Sequence, residues 1–233
     1  MDIKIIVDHE SHLENDPGYI VAALNLMMLG HLTELIDERM LFWIDGIGAN
    51  IALRGKISGV LIKKRPGVEF LRALIPYLSA QTISILGDNP VGFQDYLHKR
   101  NVSIGKSMPL PKFDTNKMEA LDFSELAETI IISLPSPKQE ILARYLNNLY
   151  KGQKRIYCFG GAIGMIDNPM LECPKLFRKL GLEWLYRLRH DTRRRLRRLI
   201  QQTVGLFKNI STIRNASITI FNNVTSASID TIK

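Results

Sequence analysis

One pattern constrains the fold of this chain more than any other: short apolar runs, each closed by turn-forming residues and followed by a helix. Met40 to Ile44 ends in Asp45-Gly46-Ile47-Gly48, and Gln81 to Leu86 ends in Gly87-Asp88-Asn89-Pro90. Thr129 to Leu134 ends in Pro135-Ser136-Pro137, and Arg155 to Phe159 runs into Gly160-Gly161-Ala162. Runs this short, without polar alternation, suit strands buried on both faces. The stretches between them carry helical spacing, as in Val68 to Leu78, where positions 68, 70, 71, 74, 75 and 78 are apolar. Strands alternating with helices predict an α/β fold: a Rossmann-like, mainly parallel sheet flanked by helices, with right-handed crossovers.

The remaining elements follow from the same signals. Short strands are expected near 3–8, 20–24 and 101–104. Leu26 to Arg39 reads as a helix, although a buried helix through the whole of 20–39 fits as well. Residues 106–116 read as a loop rich in Pro and Lys, followed by a helix of about ten residues. Ser136 can cap the next helix, with Pro137 at its first position and Gln139 or Glu140 completing the cap.

Charge divides the chain. The net charge is +8, yet residues 175–233 hold 13 Lys/Arg against 3 Asp/Glu, while residues 1–174 hold 18 against 20. Seven arginines fall between Arg187 and Arg198, interleaved with Leu182, Leu185, Tyr186, Leu196, Leu199, Ile200 and Phe207 at helical spacing. A helix of this kind offers one face to a core or bilayer and the other to phosphates. Three regions are expected: a Rossmann-like core over 1–174, a basic amphipathic helical appendage over 175–210, and a flexible Ser/Thr/Asn-rich tail over 211–233. The acidic start lacks the pattern of a signal peptide, and no apolar run reaches the length of a membrane span. A cytoplasmic protein, or one peripheral on the inner face of the membrane, is expected. Cys158 and Cys173 lack metal-ligand spacing and read as buried, reduced thiols.

Three turns carry candidate chemistry. Asp45 follows a strand, where a carboxylate faces the crevice at the carboxyl edge of a parallel sheet; a plain N-capping turn is the alternative. The helix start at Pro137-Lys138-Gln139-Glu140 suits an anion, which is compatible with simple capping. Gly160-Gly161 permits close backbone approach to a ligand, a weak signal alone.

These residues together resemble a known family. Ser136-Pro137-Lys138-Gln139-Glu140, Gly160-Gly161-Ala162, and GLEWLYRL at 181–188 followed by Arg193-Arg194 are similar to motifs of the bacterial WecG/TagA/CpsF glycosyltransferases. So are Asp45-Gly46-Ile47-Gly48, Asn25 upstream, and Arg65-Pro66-Gly67 downstream. The resemblance implies an inverting, metal-independent transferase needing no cofactor. It would move a sugar, of N-acetylmannosamine type or a related hexose or uronate, from a UDP-sugar to a lipid-diphosphate-linked sugar. The product would enter surface polysaccharide or teichoic acid. It implies Asp45 as general base. Asn25, Gly46, Gly48, Lys138, Gln139, Glu140, Gly160, Gly161, Arg187, Arg194 and Arg197 would bind substrate, with no metal ligand. An anionic membrane surface is an implied partner, and a homo-oligomer is compatible with it.

The sequence departs from the family pattern at Ala23, at Ser133-Leu134-Pro135, at Gly164 (where an acid is expected, with Asp167 one turn later), at Glu172-Cys173-Pro174 and around 106–113. Those departures motivate an alternative, a weak or inactive member serving as a scaffold in polysaccharide assembly. A nucleic-acid-binding role is disfavoured, because the arginines continue a glycosyltransferase-like motif and no nucleic-acid-binding motif accompanies them.

Overall fold

The computed structural model describes residues 2–6, 18–53, 64–174, 176–177, 185–186, 200 and 203–221. They form one eight-stranded sheet. Its strands are β1 (Asp2–Ile6), β2 (Ile20–Leu24), β3 (Met40–Ile44), β4 (Thr82–Gly87), β5 (Ser103–Met108), β6 (Thr129–Ser133), β7 (Arg155–Cys158) and β8 (Ser217–Phe221). Their spatial order is β5-β4-β6-β7-β2-β3-β1-β8, and every pairing is parallel. The expected parallel α/β architecture is what the chain adopts. Strands β2, β3 and β6 are buried at every position, which is why their sequences show no alternation.

Helices among the described residues include α1 (Leu26–Gly30), α2 (Leu32–Leu35), α3 (Ile47–Leu53), α4 (Gly67–Leu74), α5 (Val91–His98), α6 (Lys138–Leu149), α7 (Ala162–Asp167) and α8 (Ile210–Asn215). One core layer joins α1, α2, α3, α6 and α8 to one face of the sheet through residues such as Leu29, Leu32, Leu142, Leu146 and Ile213. The other face is covered by α4, α5 and α7 through Phe70, Leu74, Phe93, Leu97 and Ile163. The centre of that second layer is aromatic: Trp43 stacks on Phe70 at 4.6 Å and meets Phe159 at 5.6 Å.

Several expectations need correction. The helix expected over 26–39 breaks into α1 and α2 at His31 and stops at Leu35. The Gly30 carbonyl is taken by Asn209 Nδ2 at 2.7 Å, so a tertiary partner replaces the helical one. The loop expected from 106 instead begins after β5, which continues to Met108. In place of a ten-residue helix after it stands a 3-10 turn over Thr115–Ala120, with Lys117 out of helical geometry. Pro137, rather than Ser136, occupies the N-cap of α6, and no side chain caps it. Finally, residues 211–221 are not a flexible tail. Ser211 to Asn215 belong to α8, and Ser217–Phe221 pairs with β1 over all five residues. Thr219 Oγ1 donates to the Asp2 carboxylate at 2.9 Å. Most of the basic helical appendage expected over 175–210, including every arginine from 187 to 198, and residues 222–233 lie outside the described residues.

The segment 203–215 returns to its own core. Gly205 crosses Gly30 so closely that a side-chain carbon on Gly205 would sit 3.0 Å from the Gly30 Cα. Thr33 Oγ1 donates to Asn209 Oδ1 at 3.1 Å beside this crossing. Both cysteines are buried and neither is in a disulfide, as expected. Among the described residues no helix is long and apolar enough to cross a membrane.

Candidate active site

The chain leaves β2 and β7, which are neighbours in the sheet, toward opposite faces: β2 feeds α1 on one side, β7 feeds α7 on the other. Adjacent strands that diverge in this way open a crevice at their carboxyl ends, where parallel sheets bind ligands. The strands flanking the pair are β6 and β3. Of the sequence-derived candidates, Asn25 and Asp45 directly follow β2 and β3, Gly160-Gly161 come just after β7, and Lys138-Gln139-Glu140 open α6 five residues after β6. Positions separated by up to 136 residues are thus gathered at one edge.

Register sets their level. Leu24 pairs with Ile44, and Asp45 N donates to Leu24 O at 3.1 Å, so Asn25 and Asp45 emerge side by side. Ala22 pairs with Cys158, the last residue of β7, so Asn25 and the Gly160-Gly161 turn leave the same edge of the sheet. Asn25 caps α1, its Oδ1 accepting from Met28 N at 3.0 Å. The group it can offer a ligand is therefore its Nδ2 donor. Asp45 is half-buried. Gly46 carries φ +90°, a backbone state that favours glycine, and a side-chain carbon there would touch nothing within 4 Å. Gly48 is required for packing instead, since a side-chain carbon would fall 2.5 Å from Leu26 Cγ.

Across the crevice, Gly160 adopts φ +52°, and a side-chain carbon would stand 3.2 Å from Leu134 O and 3.5 Å from Gln139 Oε1. Gly161 opens onto free space. Gln139 is buried, and its Nε2 donates to Glu140 Oε1 at 2.9 Å. Glu140 is fully buried and its Oε1 also accepts from Ser136 Oγ at 3.0 Å. Ser136, expected as a cap, thus anchors the turn through a side chain instead. Behind them, burial pushes the Cys158 thiol well above its ordinary pKa, and the Glu140 charge adds to the shift. Lys138 is exposed and donates through Nζ to Phe113 O.

Arg65 is a residue that sequence reasoning did not place among the site residues. Its backbone N donates to Ile44 O at 3.0 Å, which sets it beside Asp45 at the end of β3. Its Nη1 is buried with no hydrogen-bond partner among the described residues. The available signal was the basic turn Lys63-Lys64-Arg65-Pro66-Gly67, whose place at the sheet edge depends on the fold. Asp167, the acid nearest the Gly164 departure, accepts from Gly92 N at 2.8 Å at the start of α5. Arg187, Arg194 and Arg197 lie outside the described residues.

Comparison with known families identifies the chain. The model of the glycosyl transferase WecG/TagA/CpsF family matches residues 6–216. The chain belongs to that family. It is a glycosyltransferase of cell-surface polysaccharide biosynthesis, with a sugar donor and an acceptor as its substrates. The matched span covers Asn25, Asp45, Arg65, Gln139 and the Gly160 turn, and it stops just short of β8.

Proposed function

We propose that this WecG/TagA/CpsF family member is an inverting, metal-independent glycosyltransferase using a UDP-sugar, of N-acetylmannosamine type or a related hexose or uronate. Its acceptor is a lipid-diphosphate-linked sugar on the cytoplasmic side of the cell membrane, and its product enters surface polysaccharide or teichoic acid. The observation that carries this reading is the gathering of Asn25, Asp45, Gln139 and Gly160-Gly161 at the carboxyl ends of four neighbouring strands.

Asp45 accepts the proton of the acceptor hydroxyl as that oxygen attacks the anomeric carbon. The new C–O bond forms on the face opposite the departing diphosphate, the old anomeric C–O bond breaks, and UDP leaves with its electron pair. The negative charge gathering on the diphosphate is met by donors placed in advance. Arg65 suits this role, since its buried Nη1 has no partner among the described residues, and Arg187, Arg194 and Arg197 add to it. Gly161 lets the ligand approach the backbone closely, and Asn25 donates through Nδ2. The membrane contact is made by the appendage. Ile200, Val204 and Phe207 follow the arginines at helical spacing and are 57%, 49% and 67% exposed. Apolar residues beside a cationic run suit an anionic bilayer surface.

The test is acceptor-dependent UDP release by the full chain, with a panel of UDP-sugars, a short-chain lipid-diphosphate-N-acetylglucosamine acceptor and EDTA present. Turnover with one donor is expected, and Asp45→Asn should lower it by about 10²-fold or more, the scale of a lost general base. A near-wild-type rate in Asp45→Asn removes Asp45 as the base. No release with any donor from folded protein, with UDP still bound in calorimetry, would favour the scaffold role.

A further inference from the structure

We infer that Glu140 is a positioning residue: its buried carboxylate turns the Gln139 side-chain nitrogen inward, so that the Gln139 carbonyl oxygen faces the Gly160 turn as an acceptor for the substrate. This rests on the transferase reading above and assigns Glu140 a different task from direct substrate contact. Glu140 is 0% exposed, so its carboxylate lies beneath the surface that a ligand would meet.

The orientation follows from hydrogen-bond chemistry. A carboxylate accepts and does not donate, so the Gln139 atom 2.9 Å from Glu140 Oε1 must be the amide nitrogen. The carbonyl oxygen is then fixed on the opposite side of the amide group, away from the carboxylate. That oxygen is buried and has no hydrogen-bond partner among the described residues. A buried carbonyl without a donor is unfavourable, and such atoms in native proteins call for a partner. The Gly160 turn packs against this amide: a side-chain carbon at position 160 would stand 3.5 Å from the oxygen and 3.8 Å from the nitrogen, in ordinary contact with both.

The chemistry also selects what the oxygen can meet. An acceptor reads an O–H or N–H, so it pairs with a sugar hydroxyl, an acetamido N–H or the uracil N–H, and it repels the diphosphate. Glutamine at 140 would abolish the selection. Its own NH₂ could donate to Gln139 Oε1, and the Gln139 amide would then be free to turn over.

The experiment is a double-mutant cycle on the full chain, wild type, Gln139→Ala, Glu140→Gln and both, read by kcat and KM for UDP release. Alongside it, the Gln139 side-chain amide is followed by ¹⁵N NMR, assigned by its loss in Gln139→Ala. Glu140→Gln is expected to shift the Gln139 amide signal and to lower kcat/KM by about tenfold, the scale of one misplaced hydrogen bond. In the Gln139→Ala background it should have no further effect, and Glu140→Asp should restore part of the loss. Equal effects in both backgrounds would overturn the inference, and so would an unchanged Gln139 signal. If Glu140→Gln fails to fold, Glu140→Asp takes its place in the cycle with the same two criteria. A wild type that binds UDP but turns over no donor would count against the transferase reading alone. The amide signal would still judge Glu140, an unchanged one sinking it.

Discussion

Replacing Gly160 with alanine isolates what the turn after β7 contributes. The backbone there sits at φ +52°, a left-handed state in which an L-residue costs roughly 1–2 kcal/mol. The added carbon would press on Leu134 O at 3.2 Å and lie in ordinary contact with the Gln139 amide at 3.5 Å. Main-chain strain therefore dominates, and stability should fall by about 1–2 kcal/mol. For a chain of this length each kcal/mol moves Tm by about 2–4 °C, so the melting point should drop by about 2–8 °C. Activity should fall further than the lost stability explains at assay temperature, because the methyl covers the Gln139 carbonyl. Gly161→Ala is the control for strain. Gly161 has φ −70° and open space around it, so alanine should leave stability unchanged or raise it by about 0.4–1 kcal/mol. Its effect on UDP release then reports only how closely the ligand approaches that backbone. A Gly160→Ala protein melting with the wild type would refute the strain argument. Full activity in Gly160→Ala and Gly161→Ala alike would refute the placement of the ligand at this turn.

Other perturbations test the frame around the site. Gly205→Val should break the crossing with Gly30, because the contact at 3.0 Å is backbone and cannot turn aside; limited proteolysis should then cut within 203–221 while the sheet core survives, and unchanged protection would disprove that docking. Cys158 and Cys173 should resist thiol reagents at pH 8 until the protein unfolds, since both are buried and the Cys158 pKa is raised; fast native-state labelling of Cys158 would contradict its burial. The raised Cys158 pKa also fixes a sign: its contribution to stability is complete below the unfolded thiol pKa and is lost as pH rises toward the folded value. A urea midpoint that does not fall across that alkaline range, relative to Cys158→Ala, would count against the shift.

The central strands were legible because both their faces are buried: Ile20–Leu24, Met40–Ile44 and Thr129–Ser133 show an apolar run and little else. The edge strands were not. β5 reads Ser-Ile-Gly-Lys-Ser-Met, half exposed along its length, and its Lys106 is paired with Asp122 at 2.8 Å. In sequence such a strand resembles a loop. β8 does alternate, Ser217-Ile218-Thr219-Ile220-Phe221, but its Ser/Thr-rich setting masked a period of two. Within the candidate site, the positions at strand ends were readable because turn chemistry marks them. Arg65 was not, since its place depends on a backbone bond to Ile44 across a stretch outside the described residues. Lys138 was read from its place in the first turn of α6, but a residue twenty-five positions earlier, Phe113, supplies its acceptor.

The course of the chain after α7 bears on how the arginines act. Glu172 pairs with Arg72 of α4, and Cys173 is buried next to it in sequence, so the core holds the chain up to this point. From Thr203 to Phe221 the chain is held again, by the Gly30–Gly205 crossing, by Asn209 and by the β1–β8 ladder. The arginines of 187–198 therefore belong to a segment with both ends fixed on one and the same core. A tethered segment meets its own site at an effective concentration set by the tether, independent of how many other copies are present. If the arginines supply charge to the departing diphosphate, the specific rate of UDP release should stay constant as protein is diluted. A rate per molecule that falls with dilution would mean that the charge comes from a second copy of the chain.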